Sequence, residues 1–154
     1  MRHRLLLPLA ALALHACELA PCVLTTELTE LAGEGATDCG TVTVGADSAA
    51  VDACVVAAFE AHEAFFAVYE LQGIDSQVST ALASDGDTVW SLFRDSDPSG
   101  GSQTGAEITR SDCASPTVEP GPDGHDVLTC DQTGCVCSTR ACGPENLDLG
   151  DCCG

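Results

Sequence analysis

Hydrophobic and polar positions divide the chain into three regimes. Residues 5–14 are an almost unbroken apolar run, residues 24–94 carry helical and strand periods, and the residues after Cys130 carry none. Leu24, Leu28 and Leu31 recur at i, i+4 and i+7 ahead of Gly33 and Gly35, which predicts one short amphipathic helix. The alternative over residues 17–38 is a disordered tether. A brief extended run, Thr41 to Val44, follows. Asp47 is placed to cap a helix through DSAAVDACVVAAFEAHE, in which Val51, Cys54, Val55, Ala58, Phe59 and His62 share one face. Asp52, Glu60 and Glu63 are expected to point away from it. The helix should end near Glu63.

Strand signals dominate from there. Phe65 to Leu71 is rich in aromatic and branched residues and stops at Gly73. Ile74, Ser76, Val78, Thr80 and Leu82 alternate with Asp75, Gln77, Ser79 and Ala81, and Asp85-Gly86 then signals a hairpin turn. Thr88 to Arg94 reads as a central strand with Val89 and Phe93 on one face and Trp90 and Leu92 on the other. AEITRS and HDVLTC supply two further strands, ending at Cys113 and Cys130. Pro116, Pro120, Gly121, Pro122 and Gly124 make the connection between them a loop. All aromatic residues, Phe59, Phe65, Phe66, Tyr69, Trp90 and Phe93, lie in one window, so the core belongs there. The expected fold is α+β, one amphipathic helix packed on a small antiparallel meander sheet and stapled by disulfides.

The N-terminus changes the picture from a fold to an address. Arg2, His3 and Arg4 precede the apolar run, which is far shorter than the ~20 residues a membrane-spanning helix needs. Basic start, short apolar stretch and small residues make an export signal. Leu14-His15-Ala16-Cys17 resembles the lipobox of bacterial lipoproteins, with His15 an unusual occupant of its interior. The resemblance implies cleavage before Cys17, acylation of its thiol and a domain tethered to the cell envelope outside the cytoplasm. The competing reading is a secreted protein cut after Ala13, since Ala11-Leu12-Ala13 matches the small-x-small pattern. The expected organisation is thus a signal peptide at 1–16, a tether or short helix at 17–38, the α+β domain at 39–130 and a Cys-rich tail at 131–154. Beyond the lipobox, the layout is similar to uncharacterised envelope lipoproteins, a likeness that carries no catalytic residue.

Cysteine usage follows from the address. Eleven cysteines are odd in number, and committing Cys17 to a thioether leaves an even set: Cys22, Cys39, Cys54, Cys113, Cys130, Cys135, Cys137, Cys142, Cys152 and Cys153. In an oxidising compartment these are disulfide candidates first. Cys39–Cys54 is expected to pin the helix and Cys113–Cys130 to close the Pro/Gly-rich loop. The tail lacks apolar periodicity, so bridges must hold it. Soft-metal binding by Cys135, Cys137, Cys142, Cys152 and Cys153 is the weaker account.

Charge removes whole classes of function. The chain has 24 acidic residues, five basic ones and a formal charge of −19, and loss of Arg2 and Arg4 with the signal makes it more negative. Such a surface repels phosphate backbones, so nucleic acid is excluded as a partner. A membrane reached through the lipid and an envelope protein are the partners left. All five basic residues are arginines, so Schiff-base, P-loop and Ser-Lys chemistries are absent.

Two site readings can be set beside this. Asp95, Asp97 and Ser99, followed by Gly100, match the first half of a calcium loop, but position 12 is Ala106 rather than an acid. The alternative is a polar turn whose Asp side chains bond nearby amides. A small hydrolase would need His62 or His125 beside a nucleophile. His62 is expected as a packing histidine on the helix and His125 as a solvated loop residue, while Gly100-Gly101-Ser102-Gln103-Thr104 misses the nucleophile-elbow pattern. Taken together, the sequence points to a lipid-anchored, non-catalytic structural or protein-binding module without a cofactor, with a Ca²⁺-binding module as the alternative and a hydrolase third.

Overall fold

In a computed structural model, residues 23–98 and 106–130 are described in full and residues 136–139 as backbone. In chain order the elements are α1 (Leu24–Ala32), β1 (Thr37–Val42), α2 (Ala49–Glu60), β2 (Phe65–Leu71), β3 (Val78–Ser84), β4 (Val89–Asp95), β5 (Glu107–Asp112), β6 (Pro116–Pro120), β7 (Asp126–Cys130) and β8 (Val136–Thr139). Six strands form one sheet in the order β1-β2-β3-β4-β5-β8, and β6 and β7 form a separate hairpin.

The α+β class holds, but two features depart from a single helix on a meander. β2 through β5 do run antiparallel in sequence order, whereas β1 pairs with β2 in parallel. That follows from α2 lying between them, because a helical crossover returns the chain to the end where β1 began. The second departure is α1. It forms a helix, and Leu24, Leu28 and Ala32 are buried, so the packed unit reaches back to Leu24, ahead of the start expected at Cys39.

The two helices cover opposite faces of the sheet. Side chains alternate across a strand, and on β2 Val68 packs under α1 while Phe65, Ala67 and Tyr69 pack toward α2. Ala81, Ala83, Leu92 and Ile108 complete the α1 layer. Small residues on β3 let α1 sit close. The α2 layer adds Val55, Ala58, Val89, Cys113 and Leu128, the last contributed by the hairpin. Val89 and Trp90 fall on opposite faces of β4, as the alternation predicts.

β3 turns into β4 through Asp85-Gly86. Asp85 Oδ1 accepts the amides of Asp87 at 3.0 Å and Thr88 at 2.8 Å. Gly86 has φ +99°, and a Cβ there would lie 2.7 Å from the carbonyl oxygen of His62, so both conformation and space require glycine. β3 itself starts at Val78 rather than Ile74, which is fully exposed.

The Pro/Gly-rich connection is not a plain loop. Pro116–Pro120 is a strand paired with Asp126–Cys130, its prolines at the two ends of a two-stranded ribbon, where a missing N–H leaves no ladder bond broken on the outer side. Gly121 N donates to His125 O at 2.7 Å and closes the turn. Two disulfides tie the layers as expected: Cys39–Cys54 joins β1 to α2, and Cys113–Cys130 closes the base of the hairpin.

Candidate functional site: a buried carboxylate between helix and hairpin

Asp52 is the residue around which the α2 layer is arranged. It was expected to face solvent, yet it is only 5% exposed. Helical geometry explains the correction: residues seven apart lie about 20° from one another around an α-helix, so a face that contains Phe59 also contains Asp52. Tyr69 reaches it from β2 because the pleat aims Phe65, Ala67 and Tyr69 to the same side. The Tyr69 hydroxyl donates to Asp52 Oδ1 at 2.7 Å. His125 reaches it from the hairpin turn, Nε2 lying 2.8 Å from Asp52 Oδ2. Ser48, the N-cap residue of α2, makes no side-chain cap bond, and its Oγ lies 3.4 Å from the same Nε2. Asp47 bonds the first turn instead, its Oδ1 accepting the amide of Ala49 at 2.9 Å.

The electrostatics follow from those partners. Burial by itself raises the pKa of Asp52, but hydrogen bonds from Ser48, Tyr69 and His125 and the charge of His125 outweigh it, and the carboxyl is held below its ordinary 3.8. Tyr69 moves the other way. Burial and its bond to the Asp52 carboxylate both oppose ionisation, so the phenol is pushed far above its ordinary 10.0. The pair is a locked, ionised carboxylate and a locked neutral phenol.

Ser48, His125 and Asp52 are the residue types of a hydrolytic triad, and their geometry does not make one. In a working triad the carboxylate holds one imidazole nitrogen and the nucleophile uses the other. Here Asp52 and Ser48 both face Nε2. One ring nitrogen facing both groups cannot donate to the Asp52 carboxylate and at the same time take a proton from the Ser48 hydroxyl. What the arrangement does is fasten the hairpin turn to the helix.

Beside this lock runs a groove of about 370 Å³ between the sheet and the hairpin. Tyr69, Thr80, Leu82 and Ser91 form its floor, Val127 and Leu128 its wall, and Asp52 its inner end.

The residues singled out from sequence fall elsewhere. Asp95 ends β4, and its Oδ1 accepts the Asp97 amide at 2.9 Å, the use expected of a polar turn. Ser99 lies outside the described residues. Among the described residues no group of three or more His, Cys, Asp or Glu side chains is placed to hold a metal. His62 is not on the packed face of α2. The helix ends at Glu60, and His62 is exposed with φ +55°, in the turn that leads into β2. Cys17, Cys22, Cys135, Cys142, Cys152 and Cys153 lie outside the described residues, as does the side chain of Cys137. His125, for which its Asp/Gly neighbours predict a solvated place, is instead half-buried against Asp52. Only the i+7 relation of Asp52 to Phe59 hinted at this site.

Comparison with protein-family models, curated proteins and solved structures found no match to this chain.

Proposed function

We propose that the chain is a lipid-anchored protein of the bacterial cell envelope whose folded part is a non-catalytic binding module. The observation that carries the reading is Leu14-His15-Ala16-Cys17 behind a basic start and a short apolar run. Two disulfides in the folded domain support export, because such bonds persist in oxidising compartments. The packing of Leu24 adds a consequence. Residues 18–23 would be the whole tether, and six extended residues span roughly 20 Å at most. The domain would ride close to the bilayer, held there by acyl chains that each contribute about 0.8 kcal/mol per buried methylene. A binding role is favoured over hydrolysis because the Ser48–His125–Asp52 cluster fastens structure and leaves no activated hydroxyl.

The test is the intact mass of the mature protein from its native host, with and without reduction and alkylation. The expected result is a chain starting at Cys17, heavier by several acyl chains, with alkylatable thiols appearing only after reduction. A plain chain starting at Leu14 with a free thiol before reduction would overturn the anchor and make the protein a secreted one.

A further inference from the structure

The groove beside Asp52 has features that the lock does not use. Its floor is half apolar, Asp52 lines it, and the same face of the sheet continues past it along β4. Phe93 stands there, 42% exposed, two residues along β4 from Ser91 and directly opposite Thr80. Tyr69 is in the same cross-strand row, opposite Thr80 on its other side, and Leu71, 43% exposed, lies one row farther along β2, opposite Val78. Both strands present these residues on the face that α2 and the hairpin cover farther along. Phe93, Thr80 and Tyr69 therefore form one cross-strand row that leads to Asp52, with Leu82 and Val127 lining the groove beside it.

From that sequence of surfaces we infer that the groove binds an extended, arginine- or lysine-bearing segment of a basic protein. The inference rests on the binding-module reading and names the partner's chemistry. A long basic side chain has an apolar stem and a cationic head. The stem fits along Leu82 and Val127, the head is drawn toward Asp52, and a second cation can sit over the Phe93 ring. Tyr69, His125 and Ser48 donate to Asp52, and of the roughly four acceptor sites of a carboxylate one is left for a further donor. Charge complementarity decides among occupants. A second copy of this chain, at −19, is repelled. The chain's own tail is acidic as well, with Asp131, Glu145, Asp148 and Asp151 against Arg140. A basic partner is attracted by the whole molecule and steered to a strip where burial and charge coincide.

The experiment uses the mature, oxidised full chain and two probes, acetyl-Val-Arg-Val-Arg-Val-amide and its counterpart with neutral citrulline in place of arginine. Binding is followed by backbone amide shifts at about 150 mM salt, where the Debye length is ~8 Å and diffuse attraction is screened. The arginine peptide should bind about tenfold or more tighter than the citrulline peptide, with shifts confined to Thr80, Leu82, Ser91, Phe93 and Val127. Phe93→Ala, an exposed change that leaves the core intact, should weaken binding about three- to tenfold, and Phe93→Trp should preserve or strengthen it. Equal binding of the two peptides overturns the inference, as do shifts spread over the acidic surface that ignore Phe93, or no binding. Failure here with lipid found on Cys17 removes the groove and leaves the envelope reading standing. Groove binding by an unlipidated chain would do the reverse.

Discussion

At the scale of single residues the protein offers an unusually clean reporter, because Tyr69 is its only tyrosine. The phenol donates to a buried carboxylate, so ionising it would set two negative charges against each other out of water. A group whose folded value is raised contributes stability that is present below its ordinary value, 10.0 for this phenol, and lost as pH rises beyond it. The expected outcome is that tyrosinate absorbance does not develop in the folded protein near pH 10 and emerges only with unfolding. In denaturant the same residue should titrate at its ordinary value. Asp52→Asn removes the charge that opposes ionisation, so tyrosinate should appear at lower pH in that variant than in the parent. Ordinary titration of Tyr69 in the native parent would mean that the Tyr69–Asp52 bond does not persist in solution.

Elements were legible where one local rule decides them. Alternation placed Val89 and Phe93 opposite Trp90 and Leu92, and the Asp85-Gly86 turn is demanded by a glycine with a backbone oxygen against it. Both disulfides join the cysteines expected to pin the helix and close the Pro/Gly-rich connection. What stayed hidden depends on relations between elements. The parallel β1–β2 pairing follows from a helix interposed between strands, not from either strand's own pattern. β6 was masked by its terminal prolines, which are tolerated because the ribbon has only two strands. His125 looked solvated among Asp123, Gly124 and Asp126, since its partner lies 73 positions away in sequence. For α1, three leucines at helical spacing fit a helix or a tether alike, because they cannot say whether a surface awaits them. The structure supplies that surface, so the helix has a measurable weight. Leu28 is fully buried among Val68, Ala81 and Leu92. Leu28→Ala should destabilise the domain by about 2–5 kcal/mol, whereas Glu30→Ala on the exposed side should change stability by less than about 0.5 kcal/mol. Urea unfolding of both variants checks this, and equal, negligible effects would return α1 to a tether.

For the whole molecule, the opposing terms are self-repulsion and staples. A formal charge of −19 on a chain this small disfavours the compact state. The two disulfides act against it by limiting the unfolded chain, with spans of 15 and 17 residues, each contributing about 3 kcal/mol in the chain-entropy account. Repulsion weakens when exposed carboxylates take up protons, and it also weakens when salt screens them. Asp52 behaves differently. Its folded value is depressed, so its contribution is present above 3.8 and is lost only as pH falls below that through the folded value. Between neutrality and about pH 4.5, acidification therefore relieves repulsion before it disturbs the Asp52 lock. The expected outcome is a higher melting temperature at about pH 4.5 than at about pH 7.5 in low salt, with the difference shrinking toward zero near 0.5 M sodium chloride. Calorimetry of the oxidised protein at both pH values and both ionic strengths makes the comparison. A melting temperature that falls steadily from neutral to mildly acid pH, whatever the salt, would show that the ionised surface supports the fold rather than opposing it.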